Sequence, residues 1–147
     1  MSDQAQARAT IQIVCPHCDA ANRVPAERDA RGAKCGRCKK ALFDGHPAAL
    51  TTERFRKHLA SSDLPLIVDF WAGWCGPCRA MAPVFDKAAQ TLEPKARFIK
   101  IDVDAEPALA KQYGVRGIPA LFLFKDGKIA DQHAGMADMH LLNRWTR

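Results

Sequence analysis

The sequence predicts an α/β protein, a mixed central sheet flanked by helices, preceded by a small module built on four cysteines. Three observations predict it. Two Cys-x-x-Cys pairs, Cys15/Cys18 and Cys35/Cys38, stand in an N-terminal stretch without a sustained helical or strand period. A nearly continuous apolar run, LPLIVDFW at 64–71, suits a strand buried on both faces. After it, helical and alternating patterns take turns and then give way to a hairpin, which implies a right-handed parallel crossover with antiparallel strands added.

The 147 residues carry 48% hydrophobic and 26% charged residues, the composition of a globular protein. The opening MSDQAQARATIQIVC has no apolar core of signal-peptide length, and no run approaches the roughly 20 apolar residues of a membrane-spanning helix. A cytoplasmic, reducing setting is therefore expected, with no membrane partner. There lasting disulfides are rare, so six cysteines in three close pairs point to metal binding or redox catalysis. The net charge is +6, and residues 1–48 carry eight Lys/Arg against five Asp/Glu, about twice the density of positive charge found in the rest. Such a surface can attract nucleic acid or acidic partners, though a solvated mixed-charge face explains it as well.

Two units are expected, residues 1–45 and 46–147, joined at the turn-rich Asp44-Gly45-His46-Pro47. The first has too little apolar surface for a core of its own. In the second, Thr51 or Thr52 caps a helix through about Ala60, with Phe55 and Leu59 on one face. The strand at 64–71 follows, then a helix from Cys75 to about Leu92 with Met81, Val84, Phe85, Ala88 and Leu92 inward and Pro83 within it. RFIKIDV at 97–103 alternates like a strand. Glu106-Pro107 opens a short helix closed by Gly114. ALFLF at 120–124 and KIADQH at 128–133 form a hairpin, and a last helix runs from about Ala137 to Trp145.

Sixteen residues separate Cys18 from Cys35, within the spacing of two-knuckle zinc sites. Each pair bends into a turn presenting two thiolates, and two turns complete a tetrahedral shell around one structural Zn(II). Pro16 and Gly36 suit these turns, and Arg23, Lys34, Arg37, Lys39 and Lys40 offset thiolate charge. The binding free energy then supplies the folding energy that this zinc-ribbon-like segment lacks. CPHC also resembles the active site of strongly oxidising periplasmic oxidoreductases, but DAANRVPAERDARG after it contains Pro25 and no amphipathic helical stripe. His17 reads as an exposed bystander, and His58, His133 and His140 as surface residues.

The third pair, Cys75/Cys78 in WCGPC, has no second pair at zinc spacing. It follows a buried strand and opens a helix, where free N–H groups and the helix dipole stabilise a thiolate on Cys75. Cys78 is one turn deeper at a separation a disulfide can bridge, and Pro77 preorganises the turn. Cys75 is thus the expected attacking thiolate and Cys78 the resolving thiol. Asp69 interrupts LIVDFW, where it either reaches water at the strand end or is buried at a cost.

The stretch VDFWAGWCGPCRAMAP, 68–83, is similar to the thioredoxin active-site segment, and YGVRGIPALFLFKDG, 113–127, resembles the thioredoxin segment carrying a cis-proline, here Pro119. With the four-cysteine module in front, the chain resembles the zinc-containing thioredoxins of the thioredoxin 2 type. The resemblance implies a thioredoxin fold and a protein-disulfide reductase recharged by an NADPH-dependent thioredoxin reductase. It implies that Asp69 is buried behind the dithiol and exchanges a proton with Cys78, with Lys100 near it; a plain surface lysine is the alternative for Lys100. Trp74, Gly76, Pro77, Gly117, Ile118, Pro119 and Gly135 match the surface that receives an extended substrate. Ala120 stands where many thioredoxins have threonine, and Gly73 where an acidic residue is common.

Two other functions compete with the reductase: a zinc-ribbon module docking nucleic acid or protein, and a redox sensor in which oxidation of the outer cysteines expels zinc. The lack of stacking aromatics and of a dense arginine stripe weighs against nucleic acid. A monomer is expected.

Overall fold

The computed structural model describes residues 10–147; the expectation about a leader therefore rests largely on residues outside those described. Strands β1 (Thr10–Val14) and β2 (Ala21–Pro25) form an antiparallel hairpin, with Ile13 facing Asn22 and Val14 facing Ala21. Of the two, β2 falls within the stretch from Cys15 to about Phe43 that shows no sustained period in the sequence; β1 precedes that stretch, and its alternation of Ile11 and Ile13 around Gln12 is too short to stand out. The hairpin, a 3-10 turn at Ala30–Gly32 and the cysteine turns enclose Ile13, Val24, Leu42 and Phe43 with Cys15 and Cys35. The cysteines thus complete a core that apolar residues alone leave too small.

The remaining elements are β3 (Ala48–Ala49), α1 (Thr52–Ser61), β4 (Leu66–Trp71), α2 (Gly76–Leu92), β5 (Arg97–Asp102), α3 (Pro107–Gln112), β6 (Ala120–Lys125), β7 (Lys128–Ala134) and α4 (Met139–Trp145). The sheet order is β3-β5-β4-β6-β7, with β4 parallel to β5 and antiparallel to β6. The two-residue β3 is absent from the sequence expectation, being shorter than any period. Thr51 caps α1 by accepting from the Arg54 N–H, and Asp138 caps α4 by accepting from that of Leu141. Ala137 therefore precedes the last helix rather than starting it. Asp126 and Gly127, at φ 53° and 78°, make the two-residue turn of the β6–β7 hairpin.

Two cores sandwich the sheet. On one side α2 and α4 cover Ile67, Phe98, Leu121 and Leu123, with Phe85 and Phe98 edge to face at 5.4 Å. On the other, α1 and α3 cover Val68, Phe70, Ile99, Ile101, Phe122 and Phe124. Successive residues of β4 and β5 serve opposite cores, and this puts Asp69 and Lys100 on the α2 side. No described helix is long and apolar enough to cross a membrane.

Candidate active site and metal centre

The β4 strand ends at Trp71, and the chain turns through Ala72–Trp74 to place Cys75 at the N-cap of α2. Its Sγ accepts from the Cys78 N–H at 3.1 Å, the bond that an N-cap side chain makes to stabilise negative charge at a helix start. Cys75 is the cap rather than part of the first helical turn, a one-residue difference from the sequence expectation. Cys75 and Cys78 are joined as a disulfide, with Cα atoms 5.2 Å apart. Both are nearly buried, among Ala72, Trp71, Val103 and Ile118.

The Ile118–Pro119 peptide bond is cis, and the Ile118 carbonyl oxygen lies 3.7 Å from Cys75 Sγ. Gly135, at φ 92°, donates its N–H to the Pro119 carbonyl at 2.9 Å, so the segments holding Gly117–Pro119 and Gly135 meet beside the dithiol. Neither Gly73, Gly76 nor Gly117 has a described atom within 4 Å of where a side chain would begin, so the backbone around Cys75 is open to an incoming chain. Trp74 is 67% exposed, and its indole N–H donates to Asp104 at 2.9 Å. Asp104 was missed in the sequence, where nothing in its local pattern marks it. Arg79 reaches back to the Gly73 carbonyl at 2.9 Å and ties down the same loop. A groove of about 400 Å³, lined by Arg116, Gly117, Ala120, His133 and Ala134 among others, runs on from this surface.

Asp69 is 1% exposed, which excludes the reading of a strand end in water. On its face of β4 the neighbours are Ile67, packed with Met81 of α2, and Trp71, packed against the dithiol. Asp69 therefore lies under the start of α2. Its Oδ1 has no hydrogen-bond partner among the described residues, and burial pushes its carboxyl up to about 7 against the opposing pull of Lys100. Lys100 is its register partner on β5, half-buried, with its ammonium 4.2 Å from the Trp71 ring centroid.

The outer cysteines meet at the other end of the molecule. All four Sγ atoms lie within 4.8 Å of one another, with Cys15–Cys38 and Cys18–Cys35 at 3.6 Å. Tetrahedral Zn–S bonds of about 2.3 Å require sulfur–sulfur edges of about 3.8 Å, so the cluster fits a four-thiolate ion. The two turns are built alike. Cys15 and Cys35 each accept from the residue four positions on, at 3.0 and 2.9 Å, and those residues, Asp19 and Lys39, sit at φ 65° and 68°. Backbone N–H groups point at the sulfurs: His17 to Cys15 at 3.3 Å, Arg37 and Cys38 to Cys35 at 3.4 and 3.5 Å. His17 is exposed, as the sequence suggests, with its Nε2 3.5 Å from Asp44, and it lies outside the cluster.

His58 corrects a sequence expectation: it is 1% exposed, not a surface residue. The four-cysteine module covers its face of α1, and its Nε2 lies 3.2 Å from Asp19 Oδ1. Burial holds its imidazole down to about 4, with Arg97 acting in the same direction. His133 is also partly withdrawn, its Nε2 2.8 Å from the Met136 carbonyl, while His140 is exposed. Arg54, Arg97 and Glu93 likewise carry no local signal in the sequence. Arg97 is 2% exposed, donates to the Val14 carbonyl at 3.1 Å, and lies 4.4 Å from the Phe43 ring centroid and 3.6 Å from Glu93.

The thioredoxin family model matches residues 46–147, and that of the thioredoxin 2 N-terminal zinc ribbon matches residues 14–40. The chain belongs to the thioredoxin family. Thioredoxin C-3 of Corynebacterium nephridii is 40% identical over 133 residues, 90% of this chain and 91% of that protein. Thioredoxin 1 of Nostoc is 47% identical over 88 residues, 60% of this chain and 82% of the relative. Among solved structures, a mutant thioredoxin from Halobacterium salinarum superposes with a TM-score of 0.63 at 34% identity, covering 71% of this chain and 95% of the other. A Malassezia sympodialis thioredoxin gives 0.59 at 31%, covering 67% and 90%. As a thioredoxin, the chain is a thiol-disulfide oxidoreductase acting on protein disulfides, with a fold to match and a separate four-cysteine metal-binding module.

Proposed function

We propose that Cys75 is the nucleophile of disulfide exchange and Cys78 the resolving thiol. In the reduced protein the Cys75 thiolate attacks one sulfur of a substrate disulfide, forming a mixed disulfide and releasing the other sulfur as thiolate. Cys78, deprotonated as Asp69 takes up its proton, attacks Cys75 Sγ. The Cys75–Cys78 disulfide forms and the second substrate sulfur leaves. Two electrons have passed to the substrate, and a flavoprotein reductase drawing on NADPH returns them. The observation that carries this reading is the placement of the dithiol at the α2 N-cap above the buried, unpartnered Asp69.

Trp74, Gly76, Pro77, Gly117, Ile118, Pro119 and Gly135 form the surface on which an extended substrate lies, pairing with open backbone beside Cys75. Lys100 tempers Asp69 by lowering its proton affinity. Cys15, Cys18, Cys35 and Cys38 would hold one Zn(II), and four thiolate ligands suit a structural rather than a catalytic role. When bound the ion would tie together the four thiolates and offset half of their charge, while the chain's own N–H groups orient the sulfurs. Residues 1–45 form the zinc module and 46–147 the catalytic domain of a cytoplasmic monomer, for which nucleic acid is not a partner. Reduction of insulin disulfides with dithiothreitol or the reductase as electron donor tests the mechanism. Cys75→Ser abolishes turnover; wild-type turnover in that variant contradicts it.

A further inference from the structure

We infer that Arg54, on α1 of the catalytic domain, is a positioning residue of the metal centre: through Asp19 and Pro16 it fixes the Cys15–Cys18 turn, so metal affinity depends on the catalytic domain. The inference rests on the reading of the four cysteines as a zinc site. Arg54 Nε and Nη2 donate to the two Asp19 carboxylate oxygens at 2.9 and 3.0 Å, and Nη2 also donates to the Pro16 carbonyl at 2.7 Å. These partners lie on either side of His17-Cys18, so one guanidinium grips the turn at both ends. Such a two-pronged contact fixes geometry as well as charge.

Asp19 closes the turn with its left-handed backbone, and its side chain is further braced by His58 at 3.2 Å. The second turn has no such brace among the described residues. Gly36 donates to Asn22 Oδ1 at 2.9 Å and Lys39 folds back on the Gly36 carbonyl at 2.7 Å, both within the module.

Charge points the same way. Four thiolates around one divalent ion leave two net negative charges, and the cations packed beneath them, half-buried Arg54 and buried Arg97, come from the catalytic domain. Arg97 holds the carbonyl of Val14, the residue before Cys15, as Arg54 holds that of Pro16, the residue after it. Partners outside the ligand sphere that orient ligands typically change metal affinity about 10- to 100-fold when removed.

Zinc affinity of the full chain, read by competition with a chromogenic chelator, tests the inference in wild type, Arg54→Ala, Asp19→Ala, the double variant and Arg56→Ala. Arg56 lies on the same helix but bonds to Gln112. Arg54→Ala and Asp19→Ala are each expected to weaken zinc binding about 10-fold or more. The double variant should be no weaker than the worse single, and Arg56→Ala should match wild type. Unchanged affinity in Arg54→Ala, or additive losses in the double variant, overturns the inference while leaving the zinc reading standing. A wild type that binds no zinc overturns both. Insulin-reducing turnover in each variant reports that the catalytic domain is folded. Should a variant fail to fold, amide exchange in wild type decides: stripping zinc should speed exchange in α1, and unaltered exchange there overturns the inference.

Discussion

Asp69 and Lys100 face each other in register on β4 and β5, yet the ammonium lies over the Trp71 ring and Asp69 Oδ1 keeps no partner among the described residues. A lysine close enough to moderate the carboxyl but not to neutralise it leaves Asp69 titrating near 7, where a proton acceptor for a thiol is useful.

The buried carboxyl makes stability depend on pH. Its folded-state pKa is raised from 3.8 to about 7, so the folded protein favours the protonated form. Below pH 3.8 Asp69 carries no penalty; between there and 7 the penalty grows, and above 7 it is full. The shift corresponds to about 4 kcal/mol at about 1.4 kcal/mol for each pH unit. Asp69→Asn should therefore stabilise the oxidised protein by a few kcal/mol at about pH 8 and hardly at about pH 4 in urea unfolding. The same variant should slow insulin reduction and remove an inflection near neutral pH from the rate profile.

Removing the charge of Lys100 lifts the restraint on Asp69. In Lys100→Met the carboxyl should titrate at higher pH, and the inflection in the rate profile should move upward with Cys75 and Cys78 untouched. An unmoved inflection would show that Lys100 is a surface lysine with no part in the reaction.

Trp74 is exposed and held by Asp104, so its truncation should spare stability, within about 0.5 kcal/mol. If the indole anchors substrate, Trp74→Ala raises KM for insulin about tenfold or more, as loss of an aromatic anchor worth about 2 kcal/mol does. Asp104→Ala should give a smaller effect in the same direction, since it frees the ring without removing it.

Glu93 and Arg97 are both nearly buried, and burial pushes the Glu93 carboxyl up to about 7 despite Arg97. Arg97→Ala should destabilise by about 3–5 kcal/mol at about pH 8, where Glu93 is left ionised and unpaired. At about pH 5 Glu93 is protonated and the loss should be smaller, a difference that urea unfolding at the two pH values reads directly.

The sequence exposes those features that rest on short-range pattern. The 16-residue gap between the outer pairs implies that they share an ion, and LIVDFW before WCGPC implies a helix start after a buried strand. The contacts between the two units are hidden, because burial there is decided by an element far away in the chain. His58 and Arg54 lie on α1 at positions that would be exposed in an isolated domain, and Asp19 gives no hint that it answers them 35 and 39 residues later. For the same reason Arg97 reads as the polar start of a strand. The basic residues that the sequence suggests as thiolate counterions lie within the module, whereas the more deeply placed cations beside it, Arg54 and Arg97, come from the other unit.

The central claim is that the six cysteines divide into four that hold a metal and two that exchange electrons. Metal content measured together with a thiol count on the oxidised and reduced full-length protein tests it most directly. One zinc per chain in both states, with two alkylatable thiols appearing on mild reduction and both lost in Cys75→Ser/Cys78→Ser, is the predicted result. Thiols from Cys15, Cys18, Cys35 or Cys38 alkylating alongside Cys75 and Cys78 in zinc-replete protein, or a chain without stoichiometric metal, would contradict it.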